Sequence, residues 1–423
     1  MAITTQTKTQ NKTAFNQRQI ITGIVLLVIG LLMFLLFARD TQPGQQATFG
    51  LNTDNNAGTI IIPDLVLPVQ PSLYVLIVVI VFLAGWQIAR GIRSTGLLVG
   101  AVAFAFVAAF LIWATKDQAF NLVGMMSNSL ISATPIALAA LCGVISERSG
   151  VINIAIEGIM LISAQVGVIT ATIFHNLWIG LIFAILAGGL VAAVHIVLVI
   201  RFKVDQTVSG IAINIFGTGA TSFIASRYLE RNIDGLNNSG TFPNITIPLL
   251  SKIPIIGPIF FQNNIVVYLM IILVVVIHIL LFYTPWGLRT RAVGEHPKAA
   301  DTLGINVYFT RYVNVIIGGM IAGLGGAYFT IGSVGRFDQN MTAGKGFIGL
   351  AAMIFGKYNP IGAFLSSLIF GFADSLQVKM QILGINIPSE FLQMTPYIVT
   401  MIVLAGLIGR AIPPAADGQP YEK

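Results

Sequence analysis

Glu157 is the one acidic residue set well inside the apolar runs of the central chain, and its charge has to be accounted for. A lone carboxylate in hydrocarbon is costly, so it must face protein or water and meet a donor. The run around it reads as one helix over 151–173, with Glu157 about seven residues from one end, roughly 10 Å deep at 1.5 Å per residue. Asn153 stands four residues earlier and shares that helical face. Such a pair either lines a polar path or ties two helices together. A second polar face lies on the apolar run that starts at Thr207. Its residues Gly210, Asn214, Gly217, Thr218 and Thr221 fall within roughly 100° of one another at 3.6 residues per turn. Small residues let helices approach closely, and Asn and Thr bond across the contact. Alternatively, Asn214 and Thr218 offer donors and acceptors to a polar, uncharged solute. Phe216 and Phe223 could stack on a ring, although packing is the plainer account of both.

Other chemistries have no footing. The run Gly344-Lys345-Gly346 lacks the following hydroxyl and the upstream glycine of a phosphate loop, so ATP binding of that kind is not expected. The histidines His175, His195, His278 and His296 are scattered, without the spacing of a zinc site. The single cysteine, Cys142, sits in an apolar run and reads as a small buried hydrophobe. No serine, histidine and acid gather on one face, which argues against an enzyme. Ion-coupled transport would call for a mid-membrane ionisable pair, and Glu157 shows no partner. A passive channel would call for a polar filter, and none is evident.

The elements that must hold these residues follow from composition. The 423-residue chain is 56% hydrophobic and 9% charged, against roughly 25% charged in soluble domains. A bilayer is the natural solvent for it. A spanning helix needs about 20 largely apolar residues. Candidate spans run over 20–38, 71–89, 96–114, 122–145, 151–173, 177–200, 207–225, 265–283, 312–331, 360–372 and 391–408. The apolar piece 346–356 is too short to cross simply and reads as a broken or re-entrant segment that needs protein cover. The expected fold is an all-α, polytopic helical bundle of about 11–12 membrane segments. Lys8, Lys12 and Arg18 precede the first span. Arg90, Arg93, Arg148, Arg201, Lys203, Arg289, Arg291 and Lys298 fall on the same side as these, which makes that side and the N-terminus cytoplasmic. If 346–356 crosses, Lys357 and Arg410 join them. The net charge of +7 then reflects topology and not nucleic-acid binding. Trp86, Trp113, Trp178 and Trp286 lie near span ends, as interfacial indoles do.

One cytoplasmic loop, Thr290 to Ile305, is distinctive. Pro297 suits the first turn of a helix and Gly304 its stop. Ala299, Ala300 and Leu303 share a face, so a short amphipathic helix over 295–303 projects a small apolar patch. The patch either docks another protein or lies on lipid headgroups.

This loop resembles the coupling helix of ABC-importer permeases, in the form typical of the branched-chain amino acid, simple sugar and nucleoside permease family. Residues 146–158, S-E-R-S-G-V-I-N-I-A-I-E-G, are similar to that family's S-E-R-x-G-V-x-N-I-x-x-E-G signature. Residues 206–214, Q-T-V-S-G-I-A-I-N, and 349–360, G-L-A-A-M-I-F-G-K-Y-N-P, add to the resemblance, which covers about 122–410. The S-E-R-x-G-V form looks most like the nucleoside and purine branch. The resemblance implies a type II ABC importer-like permease core over 116–410. To this core are added an N-terminal extension, 1–115, with about three spans and an outer loop, and a polar C-terminal tail, 411–423. It implies a substrate pathway near Asn153, Glu157, Asn214, Thr218 and Thr221. It further implies an ATPase-coupling surface of Gly294, Glu295, His296, Pro297, Ala299, Ala300, Leu303 and Gly304. The implied partners are an ATP-binding cassette subunit that holds the ATP, a second related permease, an extracellular substrate-binding lipoprotein and the lipid bilayer. The implied location is a bacterial plasma membrane, and no cofactor is expected on this chain.

Overall fold

The computed structural model describes residues 3–52, 61–92, 95–230, 235–384, 391, 394 and 411–423. Apart from residues 391 and 394, the predicted span over 391–408 lies outside the described residues, as do Arg93 and Arg410. The chain divides into two compact units, residues 1–124 with 379–388, and residues 125–378 with 389–423. Ten helices among the described residues are long and apolar enough to cross a membrane.

The first unit carries three of them. Helix α1 (Ile3–Met33) runs on into a π turn at Phe34–Ala38, and α2 (Val69–Arg90) and α3 (Thr95–Ala114) follow. Phe37 is the hub of an aromatic cluster with Phe106, Phe110 and Trp113, its ring centroids 5.5–5.9 Å from theirs. The outward faces stay apolar: Val78, Leu97 and Phe104 are largely exposed, as suits spans that face lipid or a partner. Between the spans, β1 (Gln46–Gly50) pairs antiparallel with β2 (Leu65–Pro68) and parallel with β3 (Ala119–Asn121). This small sheet alternates as a half-buried strand should, with Ala47 and Phe49 inward and Phe49 edge-on to Phe120. The expected all-α class therefore carries short strands outside its spans.

The second unit is built around two buried helices, α4 (Leu122–Arg148) and α12 (Val307–Phe329). Around them lie α5 (Ile156–Phe174), α6 (Leu177–Ile200), α7 (Gln206–Ile224), α9 (Ile265–Tyr283) and α14 (Pro360–Ile382). The short helix α8 (Ile256–Phe260) and the hairpin of β4 (Ile245–Thr246) and β5 (Gln262–Asn263) occupy the loop between α7 and α9. Helices α10 (Pro285–Glu295) and α11 (Pro297–Thr302) form the loop before α12, and α13 (Lys345–Phe355) precedes α14. The Gly319/Gly323 spacing packs α12 against Gly188 of α6. A Cβ on Gly188 would stand 2.4 Å from the Gly319 carbonyl oxygen and 2.7 Å from the Gly323 Cα. Only bare backbone fits there, which is how helices cohere where lipid is as apolar as the core.

Two spans are broken. The helix expected over 151–173 begins only at Ile156. Helix α4 stops at Arg148, Gly150 adopts φ +81°, and the Val151 N–H bonds back to the Ser146 carbonyl. This is a glycine-terminated helix end. Residues 151–153 then run without helical structure into a turn at 154–155. The second break precedes α13. After α12 a π turn runs over Thr330–Val334, with Thr330 bonded to the Ala164 carbonyl of α5, and the chain returns as a loop and then α13 to Lys357 and Tyr358, whose carbonyls accept from Arg148. The short apolar piece 346–356 forms the 11-residue helix α13, shorter than a spanning helix.

Candidate translocation site and coupling surface

An unwound stretch inside a membrane must have its backbone groups satisfied by protein, and the 151–158 segment shows how. The Ile152 N–H donates to Gln206 Oε1 at 2.7 Å. The Ile152 carbonyl lies 3.1 Å from His195 Nε2, and a carbonyl only accepts, so Nε2 carries the proton. His195 Nδ1 then accepts from the Ser209 hydroxyl at 3.0 Å. The Asn153 side chain accepts from Ala155 N–H at 3.2 Å and donates to the Cys142 sulfur at 3.5 Å. Asn214 donates to the Ile154 carbonyl and accepts from Gly158 N–H, both at 2.8 Å. Gly210 and Gly217 of the same helix lie against Ile154 and Gly158, where a Cβ would meet backbone or Cβ atoms at 2.9–3.0 Å. The polar face of α7 is the mould in which the broken segment is cast.

At the end of that segment sits Glu157. It does not lie about seven residues into its helix as expected but in the first turn of α5, and Asn153 is not on a shared helical face. Its carboxylate is buried and takes three hydrogen bonds. Oε1 accepts from the Thr342 hydroxyl at 2.5 Å and Gly344 N–H at 2.9 Å, and Oε2 from Gly346 N–H at 2.7 Å. Gly344 is the N-cap of α13 and Gly346 lies in its first turn. The positive ends of two helices, α5 and α13, thus meet on one negative side chain. The Gly344-Lys345-Gly346 run that fails as a phosphate loop still cradles an anion, by the same exposed N–H groups.

Beside it, Lys345 forms an ion pair with Asp374 of α14, both side chains partly buried. The sequence reading missed this pair. It ended the span at residue 372, just before Asp374, although the helix continues to Ile382. The signal available was the apolar rhythm Phe370, Ala373, Leu376, all buried, which carries the helix past the aspartate. Of the other expected pathway residues, Thr221 is buried. Its hydroxyl bonds to the Gly217 carbonyl at 2.7 Å, and its own carbonyl accepts from Gln165 at 2.9 Å. Thr218 is exposed and, unlike Asn153, Glu157, Asn214 and Thr221, lies at the surface of the unit, near the exposed Phe216 and Phe223.

The 294–304 loop lies at the Arg148 end. Pro297 starts α11 and Gly304, at φ +83°, follows its last turn, as the sequence implies. The His296 ring nitrogen caps α11 by accepting from Ala299 N–H at 3.1 Å. The apolar face differs from expectation. Ala300 is buried with Val293 and Val307, whereas Ala299 and Leu303 point outward, Leu303 with 82% of its surface exposed. Ala300 has a pocket to fill on its own chain, so the outward patch is smaller than three residues. Gly294 is pressed against the turn after α4: a Cβ there would stand 2.3 Å from the Arg148 carbonyl oxygen and 3.4 Å from the Gly150 nitrogen. The loop therefore abuts the turn that begins the broken segment leading to Glu157. Among the described residues no cluster of His, Cys, Asp and Glu is arranged to hold a metal ion.

Residues 125–412 match the family of branched-chain amino acid transport system permease components. The nucleoside ABC transporter permease protein NupC of Lactococcus lactis subsp. cremoris is 44% identical over 308 residues, covering 71% of this chain and 96% of that protein. The guanosine ABC transporter permease protein NupQ of Bacillus subtilis is 44% identical over 305 residues, covering 70% and 95%. The putative glucose ABC transporter permease protein TsgC13 of Haloferax volcanii is 34% identical over 266 residues, covering 62% and 79%. No solved structure matches the chain.

Proposed function

The chain belongs to the branched-chain amino acid transport system permease component family, and from that premise we propose that it is the membrane-spanning subunit of an ATP-driven nucleoside importer. The observation that carries the reading is the contact of Gly294 with the Arg148–Gly150 turn. It sets an exposed loop, fit to receive a push from an ATPase, directly on the broken segment that ends at Glu157. A displacement of the loop reaches Glu157 through the five non-helical residues 151–155. ATP is held and hydrolysed by the partner subunit on that face. This chain supplies the moving spans.

The chemistry at the break suits a neutral solute. Half-helix N-termini at mid-membrane ordinarily attract anionic groups of a substrate. Here Glu157 already occupies both, and Lys345 is neutralised by Asp374. A phosphorylated nucleotide would meet a filled anion site and a resident negative charge. A nucleoside offers hydroxyls and ring nitrogens without charge, and the 44%-identical relatives are named for nucleosides. Glu157, Asn153, Asn214 and Thr221 shape the path from beneath. Of this set Thr218 is the exposed one, and the reading assigns it contact with the solute. A second related permease would complete the pathway, and an extracellular substrate-binding lipoprotein would deliver the solute. The loop end is cytoplasmic by its excess of Lys and Arg, and the membrane is a bacterial plasma membrane.

Simple sugars are the second reading, favoured by the glucose permease relative. The Lys345–Asp374 pair gives ion-coupled transport a foothold that the sequence alone did not. The deciding measurement is uptake of radiolabelled guanosine by cells with and without the gene, in the presence of excess unlabelled glucose or a protonophore. Uptake that needs ATP, ignores glucose and is lost in Leu303→Glu with normal membrane insertion supports the reading. Uptake that follows the proton gradient after ATP depletion sinks it.

A further inference from the structure

We propose that residues 411–423 form a strap that positions the 294–304 loop and makes its movement productive. This inference rests on the reading of that loop as the ATPase contact. Helices α10 and α11 meet at His296, whose φ of −149° and ψ of 83° break the helical path. Helix α11 is six residues long, too short to hold a direction of its own in water. Something else must fix the angle between the two helices.

The strap touches each piece on either side of that hinge. On α10, the Ala416 N–H donates to the Gly294 carbonyl at 2.9 Å and the Ala415 N–H to Glu295 Oε2 at 3.2 Å. On α11, Lys423 pairs with Asp301 at 3.5 Å. On α12, the Arg311 guanidinium donates to the Gln419 carbonyl at 3.0 Å, and the Tyr308 hydroxyl to the Tyr421 carbonyl at 3.3 Å. The Tyr421 ring closes the small apolar cluster of Val293, Ala300 and Val307. Glu422 also pairs with Lys203, in the connection between α6 and α7.

A second observation shows that the strap is built in. Arg311 is the largest fully buried side chain among the described residues, 2% exposed. Its Nε and Nη2 find no hydrogen-bond partner, so the Gln419 carbonyl and the nearby Asp417 carboxyl are the main compensation for burying its charge. Burying a guanidinium is tolerable only with such partners. The permease core therefore carries a charge whose compensation comes from the strap.

With the strap loosened, Leu303 and Ala299 still face outward and still meet the ATPase. The loop then swings about His296 and no longer drives the Arg148–Gly150 turn. Hydrolysis continues while transport falls. The test uses the permease assembled with its ATPase, second permease and binding protein in proteoliposomes, with ATP hydrolysis and guanosine uptake measured in the same sample. Deletion of 411–423, and separately Tyr421→Ala, should lower guanosine taken up per ATP by roughly three- to thirty-fold, at little changed hydrolysis. Tyr421→Phe keeps the ring and should restore the ratio. If the deleted chain fails to insert, the comparison of Tyr421→Ala with Tyr421→Phe decides. An unchanged ratio in an inserted Tyr421→Ala complex overturns the strap. Uptake by the unaltered complex without ATP overturns the coupling reading itself, which is a different failure.

Discussion

The Glu157 carboxylate is held by one hydroxyl and two backbone N–H groups, a set that only a two-oxygen acceptor satisfies. Glu157→Gln keeps the shape but sets an amide NH₂ against an N–H or hydroxyl donor. An unpaired buried donor and the lost charge should cost about 2–4 kcal/mol. Thermal unfolding in detergent checks this, and an unshifted midpoint would show that the cradle is not a clamp. Asp417 makes a pH prediction. Burial pushes its carboxyl up to about 6, against the pull of hydrogen bonds from Glu147 and Gly418 and of the Arg311 charge. Docked, it holds a proton more tightly than when free, at its ordinary value of 3.8. Docking is therefore strongest below about pH 4 and weakens as pH rises through about 6. Limited proteolysis at the strap should be slower at pH 5 than at pH 7.5. Asp417→Asn should remove that difference. These residue-scale facts were unevenly legible. The sequence marks Glu157 as a buried charge needing donors, but its donors come from residues some 185 or more positions away, and nothing local announces them.

Among the elements, the clearest expectation concerns α6 and α12. Gly188→Ala places a methyl 2.4 Å from a carbonyl oxygen that belongs to rigid helix backbone. Overpacking of this kind costs about 1–3 kcal/mol or more. A lower unfolding midpoint with Gly85→Ala as control, where a Cβ meets open space, would confirm the seam. The proline start and glycine stop of α11 were readable, because each is a local rule. The start of α5 was not. The five residues 151–155 stay out of the helix because Gln206, His195 and Asn214 bind their backbone groups, and tertiary contacts of this kind override propensity. The inward turn of Ala300 has the same origin.

At the scale of the molecule, the proposed orientation, argued from the positive charges, sets the 294–304 loop and residues 245–263 on opposite faces of the membrane. Cys142 is the sole cysteine and is fully buried, so the native chain should be silent to impermeant thiol reagents. In intact cells Leu249→Cys should label, whereas Leu303→Cys should label only after permeabilisation; both side chains are about four-fifths exposed. Labelling of Leu303→Cys in intact cells would invert the topology.

Composition and hydrophobic run length by themselves determined that the chain crosses a bilayer many times. A set of short motifs determined its family, since those properties are sums over local residues. Only the tertiary structure decided that Glu157 closes onto the start of α13, that Lys345 finds Asp374, and that 411–423 reaches back across the loop. Each of these joins residues far apart in sequence. Their energy lies in burial and in hydrogen bonds that exist only once the spans have packed.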